Sequence, residues 1–540
     1  MSKELVESFN ALPRRAKIPS KRTSNEWHFD VRYIQIEPNP SHVVYFLQPH
    51  SQLTHMERLP IGLATNQDGL DFFPETAKDS APVLAKGILH AFVNNISKND
   101  MHPNTSEPYA PWKLSTNDRS LATAVGNELK RLGVLPEALC NIVFCGDTHI
   151  RLAQEAFDRD FQRLKVARGL QGIVAAAIRT PECIGFSNYQ VPPALRPVSS
   201  AAAALDAELT DEIRHMNHIL QYIQVWQKGL PSEGGEYDSS KFGDVVYSEM
   251  EIIKARLEEK PESVINAAAD RGDADAALDY GIRLTVGLGC KANRKRSREY
   301  LIKAAYSPNA SPMVQQMAHA ILIQWYMENV DGSIRSRYLF AASHHCNIAA
   351  RLCTTLSPAQ SPASPAILWF MSKTFHMMAD RYPELYYWYK DAVRAFEARE
   401  KEVQQAREKM VKKRLKHTTR YRCAAPNCDI EADTGSKLSR CSGPCDEDKK
   451  PYYCSKECQR EDWKNHKPFC RPGAECSIID NGTKLDITST APINKSEDGA
   501  LQVPITIPNG ETVMLSSSSM DAKMLKEIQD LSLKRNIRHR

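Results

Sequence analysis

Two apolar runs near the start of the chain, VRYIQIEP (residues 31–38) and SHVVYFLQ (residues 41–48), are short and rich in β-branched and aromatic residues, so they predict strands. LAKGILHAFVNNI and RSLATAVGNELKRLG then switch to three- and four-residue apolar spacing and predict helices. Residues 27–230 thus read as an α-rich or α+β region, with no role assigned. Near its end Thr210 can cap a helix whose first turn holds Asp211 and Glu212. Ile213, Met216, Leu220 and Ile223 repeat at helical steps and predict its core face. The small, polar PSEGGEYDSS at 231–240 predicts a boundary.

Residues 245–397 read as helical, interrupted by SPNASP and by LSPAQSPASP, where proline ends helices. Within them, Ala268, Gly272, Ala276, Ala277, Leu278, Tyr280, Gly281, Gly287, Gly289, Tyr300, Ala304 and Ala305 put small residues where two helices would approach closely and glycine where the chain must turn. On those residues the stretch 264–305 resembles one SEL-like repeat, a helix-pair relative of the tetratricopeptide repeat. The resemblance implies stacked neighbours, which MAHAILIQWYMENV and ELYYWYKDAVRAFEA could supply. Residues 398–422 predict a basic connecting helix: from Arg399 onward ten Lys/Arg face three Asp/Glu. A solvated helix is the favoured reading, and a nuclear signal or an anionic partner is the alternative. The first 26 residues read as a flexible basic arm carrying Arg14, Arg15, Lys17, Lys21 and Arg22. Residues 471–540 read as a polar tail, with a hairpin turning at Pro508, Asn509 and Gly510 and a short helix near MLKEIQDLSL.

Composition changes this picture little: 540 residues suggest about three units, and 25% charged with 42% hydrophobic residues is ordinary for a globular chain. The net charge of +5 is too small for a strong global field, so nucleic-acid binding would need a local patch. The chain lacks an apolar run of roughly 20 residues, and its first residues lack a signal peptide's apolar centre, so an intracellular location is expected, cytoplasmic, nuclear or both. The fold class expected is mainly α, with an α-rich or α+β N-terminal region, a helical-repeat-like middle and a small cysteine-rich finger near the C-terminus.

Cysteine usage supplies the chemistry. Of fourteen cysteines, seven fall between Cys423 and Cys470, a clustering that favours metal over disulfides. Cys423, Cys428, Cys441, Cys445, Cys454, Cys458, His466 and Cys470 run C-x4-C, C-x3-C, C-x3-C, H-x3-C. Eight thiolate and imidazole donors make two complete tetrahedra with no position open to water, which is structural rather than catalytic zinc. Cys454 and Cys458, like His466 and Cys470, are four residues apart, on one face of a helical turn, predicting a helix from about Ser455 to His466. Cys476 fits no ninth position.

This order of ligands, with YYCSKECQREDWKNHKPFC its most specific stretch, resembles the MYND-type zinc finger over residues 423–470. The resemblance implies two interleaved zinc ions, one on Cys423, Cys428, Cys454 and Cys458, the other on Cys441, Cys445, His466 and Cys470. It also implies a groove beside the last helix for short proline-containing peptides, at the positions of Gln459 and Trp463; the alternative is that Trp463 roofs a small core. The chain departs from the family in its first two pairs, which enclose four and three residues where two are usual. Eight Lys/Arg against nine Asp/Glu in the segment, with seven thiolates and two zinc ions, leave a balance of −4. That sign disfavours direct contact of the finger with DNA or RNA.

Enzymatic readings fare poorly. Some MYND fingers sit inside SET-type methyltransferases, but neither an Asn-His cofactor pattern nor a downstream cysteine cluster is present in the sequence. NIVFCGDTHIRLA, with Asp147 and His149, resembles the first motif of metallophosphoesterases, yet the later motifs that would complete two metal sites are missing, so a structural loop is expected. The expected function is a zinc-binding adaptor or scaffold, not an enzyme, whose finger binds proline-containing peptides of partner proteins. The alternatives are a transcriptional or chromatin regulator using the same finger, or a hydrolase in the N-terminal half.

Overall fold

In the computed structural model the second early apolar run and the first four residues of the other, 31–34, lie in one sheet of five strands. β1 (Glu26–Ile34) pairs antiparallel with β2 (Ser41–Gln48), which pairs antiparallel with β3 (Leu53–Leu59). On the other side β1 runs parallel to β4 (Lys113–Thr116), and β4 parallel to β5 (Val143–Phe144). The structure describes residues 2–17, 23–62, 70–96, 109–187, 211–231, 242–328, 336–356, 363–416, 418–432, 437–475, 477, 500–506, 512–517 and 520–537. Thr210, Lys21, Arg22, Cys476, residues 232–240 and the Pro508–Gly510 turn lie outside them.

The chain divides into two units, one of Met1–Pro231 with Glu259–Arg394, the other of Ser232–Glu258 with Ala395–Arg540. In the first, β2 is buried along its whole length and β1 along all but Glu26, the signature of strands covered on both faces. Tyr45 and Leu47 pack against Phe157 and Phe161 of the helix Asp147–Ala167. Trp27 and Phe46 instead meet Phe92, their ring centroids 5.6 and 5.9 Å from it. Helix Arg119–Leu132 stands where spacing predicts it, and Ala77–His90 begins seven residues before its predicted segment and passes into a π-helical turn, Ala91–Asn95; each is opened by a side-chain cap, Asp118 and Thr76.

β1 also buries His28, Asp30 and Arg32, alternate residues that share one face of the strand. The Arg32 guanidinium donates to both Asp30 carboxylate oxygens, at 2.9 and 2.7 Å, and lies 4.2 Å from the Phe157 ring centroid. Burial alone would raise the Asp30 carboxyl, but the charge and hydrogen bonds of Arg32, with the His28 imidazole 3.8 Å from the carboxylate, hold it below its ordinary value.

From Glu259 to Arg394 the predicted helical stretch packs into the same unit. Helices Glu262–Asp270, Ala274–Val286 and Arg294–Tyr306 follow one another with short turns. Gly281 permits the close approach of the second and third, since a Cβ there would stand 2.9 Å from Leu301 Cγ. Pro312 opens the next helix, Pro312–Met327, after its Ser311 cap. Residues 70–75 lie against these helices. Arg298 donates to the Leu70 and Asp71 carbonyls, each at 2.7 Å, and Arg337 to the Pro74 carbonyl at 2.8 Å. Glu75 meets Arg294 at 3.3 Å, and Tyr338 donates to Glu75 at 3.0 Å. Phe73 sits among Tyr326, Tyr338 and the Arg337 guanidinium, each 4.9 Å from its ring. Residues 27–230 and, of the predicted helical stretch, Glu259–Arg394 therefore share one core where the structure describes them, while the stretch's first residues, to Glu258, belong to the second unit.

Helix Asp211–Gly229 corrects an expected core face. Ile223 is buried, but Ile213 is 45% and Met216 37% exposed, and the buried row is Ile219, Tyr222, Ile223 and Val225. The helix is covered toward its C-terminal half, where Tyr222 donates to Asp279 at 2.7 Å and Gly229 approaches Ile321. Asp147 and His149 stand in the first turn of the helix Asp147–Ala167, Asp147 exposed and His149 half-buried. Neither joins a group of potential metal ligands among the described residues. No helix among the described residues is long and apolar enough to cross a membrane.

The Asp30–Arg32 pair generates a prediction. Arg32→Leu leaves a buried unpaired carboxylate and should cost about 3–5 kcal/mol at pH 7 in denaturant unfolding. Because the native pair depresses Asp30, its contribution is fully present above the unfolded carboxyl value of about 3.9 and is lost as pH falls through the lower folded value. The penalty of the variant should therefore shrink as the pH falls below about 4; a penalty independent of pH would count against the pair.

Candidate metal centre

The second unit is built around the cysteines. Arg422 bridges Glu431, and the Cys423 amide donates to the Ile430 carbonyl at 2.9 Å, so the chain doubles back on itself across β6 (Glu431–Ala432). β7 (Ser439–Arg440) then pairs antiparallel with β8 (Tyr452–Tyr453). Ser455 caps the helix Lys456–His466 by accepting from the Cys458 amide at 3.3 Å, which places Cys458 in the first turn and His466 at the end. Tyr453 donates to Asp462 at 2.8 Å and ties β8 to that helix.

These elements gather the eight residues into two groups. The Sγ atoms of Cys423, Cys428, Cys454 and Cys458 lie within 4.8 Å of one another, and so do the donor atoms of Cys441, Cys445, His466 and Cys470. In the first group Cys428 and Cys454 are 3.6 Å apart, Cys454 and Cys458 3.5 Å, Cys458 and Cys428 3.8 Å. In the second, Cys441 and Cys470 are 3.8 Å apart, Cys470 and Cys445 3.9 Å, and Cys445 Sγ is 3.7 Å from His466 Nε2. Four ligands at about 2.3 Å from one tetrahedral ion stand roughly 3.8 Å from each other, so both groups fit zinc. The separations are far beyond a sulfur–sulfur bond of about 2.05 Å, and all seven cysteines are free thiols.

The unusual pairs have local causes. In Cys423-Ala-Ala-Pro-Asn-Cys428 the longer loop closes because Asn427 takes a left-handed conformation, φ 60°, which asparagine tolerates, and the Cys428 amide donates to Ala425 at 3.2 Å. In Cys441-Ser-Gly-Pro-Cys445 the glycine is required by space. A Cβ on Gly443 would lie 2.2 Å from Cys470 Sγ and 3.4 Å from Cys441 Sγ, while its amide donates to Cys441 Sγ at 3.3 Å.

Around the ligands, the Cys454 amide donates to Cys423 Sγ at 3.5 Å, and His466 Nδ1 is 3.0 Å from Ser477 Oγ. With Nε2 facing the thiolates, a proton on Nδ1 donated to Ser477 sets the tautomer a zinc ligand needs. Burial lowers the His466 imidazole against the opposing pull of Asp462, which favours that neutral form. When bound, each zinc ion joins two chain segments that have little core of their own.

Gln459 and Trp463 stand one turn apart on the helix Lys456–His466. Gln459 is half-buried, and Trp463 is 42% exposed with its ring centroid 6.2 Å from that of His466. Trp463 therefore keeps part of its ring open to solvent. Sequence reasoning missed Gly443 and Ser477. The Gly-Pro between two cysteines signals a tight turn and could have identified the first. Ser477 has no local signature.

The tail read as polar also belongs here. β9 (Leu501–Thr506) pairs antiparallel with both β6 and β10 (Thr512–Ser517), and Leu501, Val503 and Leu525 are buried in one cluster with Cys428, Ile430 and Cys458. Leu525 comes from the last helix, Ala522–Ile537.

Residues 422–470 match the MYND finger family. No curated protein and no solved structure matches the chain. The segment is a MYND finger, a domain that binds two zinc ions and serves in general as a protein-interaction module.

The crowding at Gly443 predicts a selective lesion. Gly443→Ala should weaken zinc at Cys441, Cys445, His466 and Cys470 by at least about tenfold and leave the all-cysteine site intact. Chelator competition that counts the two ions separately would check this, and equal retention at both sites would refute the steric reading.

Proposed function

We propose that this protein is a non-catalytic adaptor whose MYND finger captures short proline-containing segments of partner proteins. The observation that carries the reading is Trp463, an open aromatic face beside the polar Gln459 on a helix whose two ends hold zinc ligands. Proline packs on a flat aromatic wall at little entropic cost, because the proline-rich segment is already extended before it binds. A helix anchored by Cys458 and His466 presents that wall without further ordering.

Two further features support the reading. Both donor sets are complete with four ligands, which leaves zinc no open position for chemistry. The acidic balance of the finger favours protein over phosphate backbones as ligand. The helices of the first unit, including the stretch 264–305 that resembles a SEL-like repeat, would serve as the scaffold that carries the finger. Residues 70–75 already cover one side of those helices, so partner capture is assigned to the finger.

Trp463→Ala should leave both zinc ions bound, because Trp463 is neither a ligand nor fully buried. It should weaken binding of a proline-rich peptide by about 2 kcal/mol, roughly 30-fold in Kd. Titration of the full chain with such a peptide, alongside a zinc count, checks both halves. Binding unchanged by the substitution would remove the groove from the account, and loss of zinc would return Trp463 to a structural role.

A further inference from the structure

The two zinc sites of the finger differ in charge. Four thiolates with one zinc ion carry −2, whereas three thiolates and a neutral imidazole with one zinc ion carry −1. Excess negative charge among largely buried sulfurs calls for donors in the surrounding shell. One lies outside the finger, in the last helix: Lys526 Nζ is 3.3 Å from Cys458 Sγ. The lysine is half-buried and Cys458 buried, so the contact is partly shielded from solvent.

Several contacts fix that lysine in place. β9 pairs with β6 in the register Glu431↔Gln502 and Ala432↔Leu501, which joins residues 501–506 to the chain just after Cys428. Gln529 donates to the Pro504 carbonyl at 3.1 Å, which holds the helix Ala522–Ile537 on β9. Asp521 caps that helix, accepting from the Met524 amide at 2.8 Å, and Leu525, next to Lys526, is fully buried in the core that holds Cys428 and Cys458.

We propose that Lys526 is an outer-shell donor of the all-cysteine zinc site, so that the metal module of this protein extends through the C-terminal helix. The ammonium group offsets one unit of charge on the site and occupies a lone pair of the Cys458 thiolate. A thiolate so engaged is a weaker nucleophile, and its zinc is lost more slowly to reagents that attack sulfur. The site on Cys441, Cys445, His466 and Cys470 gains nothing from Lys526. This asymmetry is independent of what the finger binds.

The test uses the full zinc-loaded chain treated with excess iodoacetamide, which alkylates thiolate sulfur and expels iodide. Zinc release is followed with a chromogenic chelator, and the alkylated cysteines are located by peptide mapping. Lys526→Met should speed release of one of the two ions roughly tenfold, with Cys458 among the first residues alkylated, and leave the other ion at its original rate. Lys526→Arg should restore the slow rate, because guanidinium also donates to a thiolate. If Lys526→Met fails to hold two zinc ions, Lys526→Gln against Lys526→Arg carries the comparison, with Arg the slower. Unchanged release of both ions would overturn the proposal. So would equal acceleration of both, which loss of packing alone would produce, or an arginine variant as fast as the methionine one.

Discussion

Sulfur atoms from distant parts of a chain do not stand 3.5 to 3.9 Å apart in groups without something to hold them. As thiolates they repel, and as thiols they gain little from one another. Convergence on a common ion is the constraint to which the rest of the finger answers. It explains why residues 423–470 need almost no apolar core: each ion joins a pair of ligands from early in the segment to a pair from late in it, so neither site closes until β6, β7, β8 and the helix Lys456–His466 are all in place. Interleaving makes the module cooperative, and its loops are shaped by the room sulfur leaves them, as at Gly443 and Asn427.

The metal core then extends outward. The strand Leu501–Thr506 and the helix Ala522–Ile537 bury Leu501, Val503 and Leu525 against the cysteine-bearing segments, which gives the finger an apolar floor that its own short sequence could not supply. The larger unit is organised by different means. Long buried strands and helices give it an ordinary core, and its specificity lies in paired or hydrogen-bonded buried guanidinium groups, Arg32 on Asp30 and Arg298 and Arg337 on the backbone of residues 70–75. In one unit metal supplies the long-range ties; in the other arginine does.

Features decided by local spacing were legible in the sequence. β2 begins and ends where its apolar run does, the helix Arg119–Leu132 falls within its predicted segment, and the eight ligands follow from cysteine and histidine intervals alone. Features decided by what a residue meets far along the chain were not. The helix Asp211–Gly229 has two apolar stripes, and only its neighbours determine that Ile219 and Tyr222 are covered while Met216 is not. Arg298 is one arginine in a basic stretch until the carbonyls of Leu70 and Asp71 are brought to it. Lys526 and Ser477 lie beyond the last ligand and carry no spacing signal; tertiary structure brings them to the metal sites. Trp463 is intermediate, since its position in the finger was readable and its open face was not.

The central claim is that the two metal sites are interleaved, and cadmium NMR tests it most directly. The full chain loaded with cadmium should give two resonances, one from a four-sulfur site and one from a three-sulfur, one-nitrogen site. Interleaved and sequential pairing both give these two, but they divide on Cys441. In this account Cys441→Ser perturbs the sulfur–nitrogen resonance and leaves the four-sulfur resonance where it was. A perturbed four-sulfur resonance with its neighbour unchanged would mean that the first four cysteines share one ion, and would contradict the account.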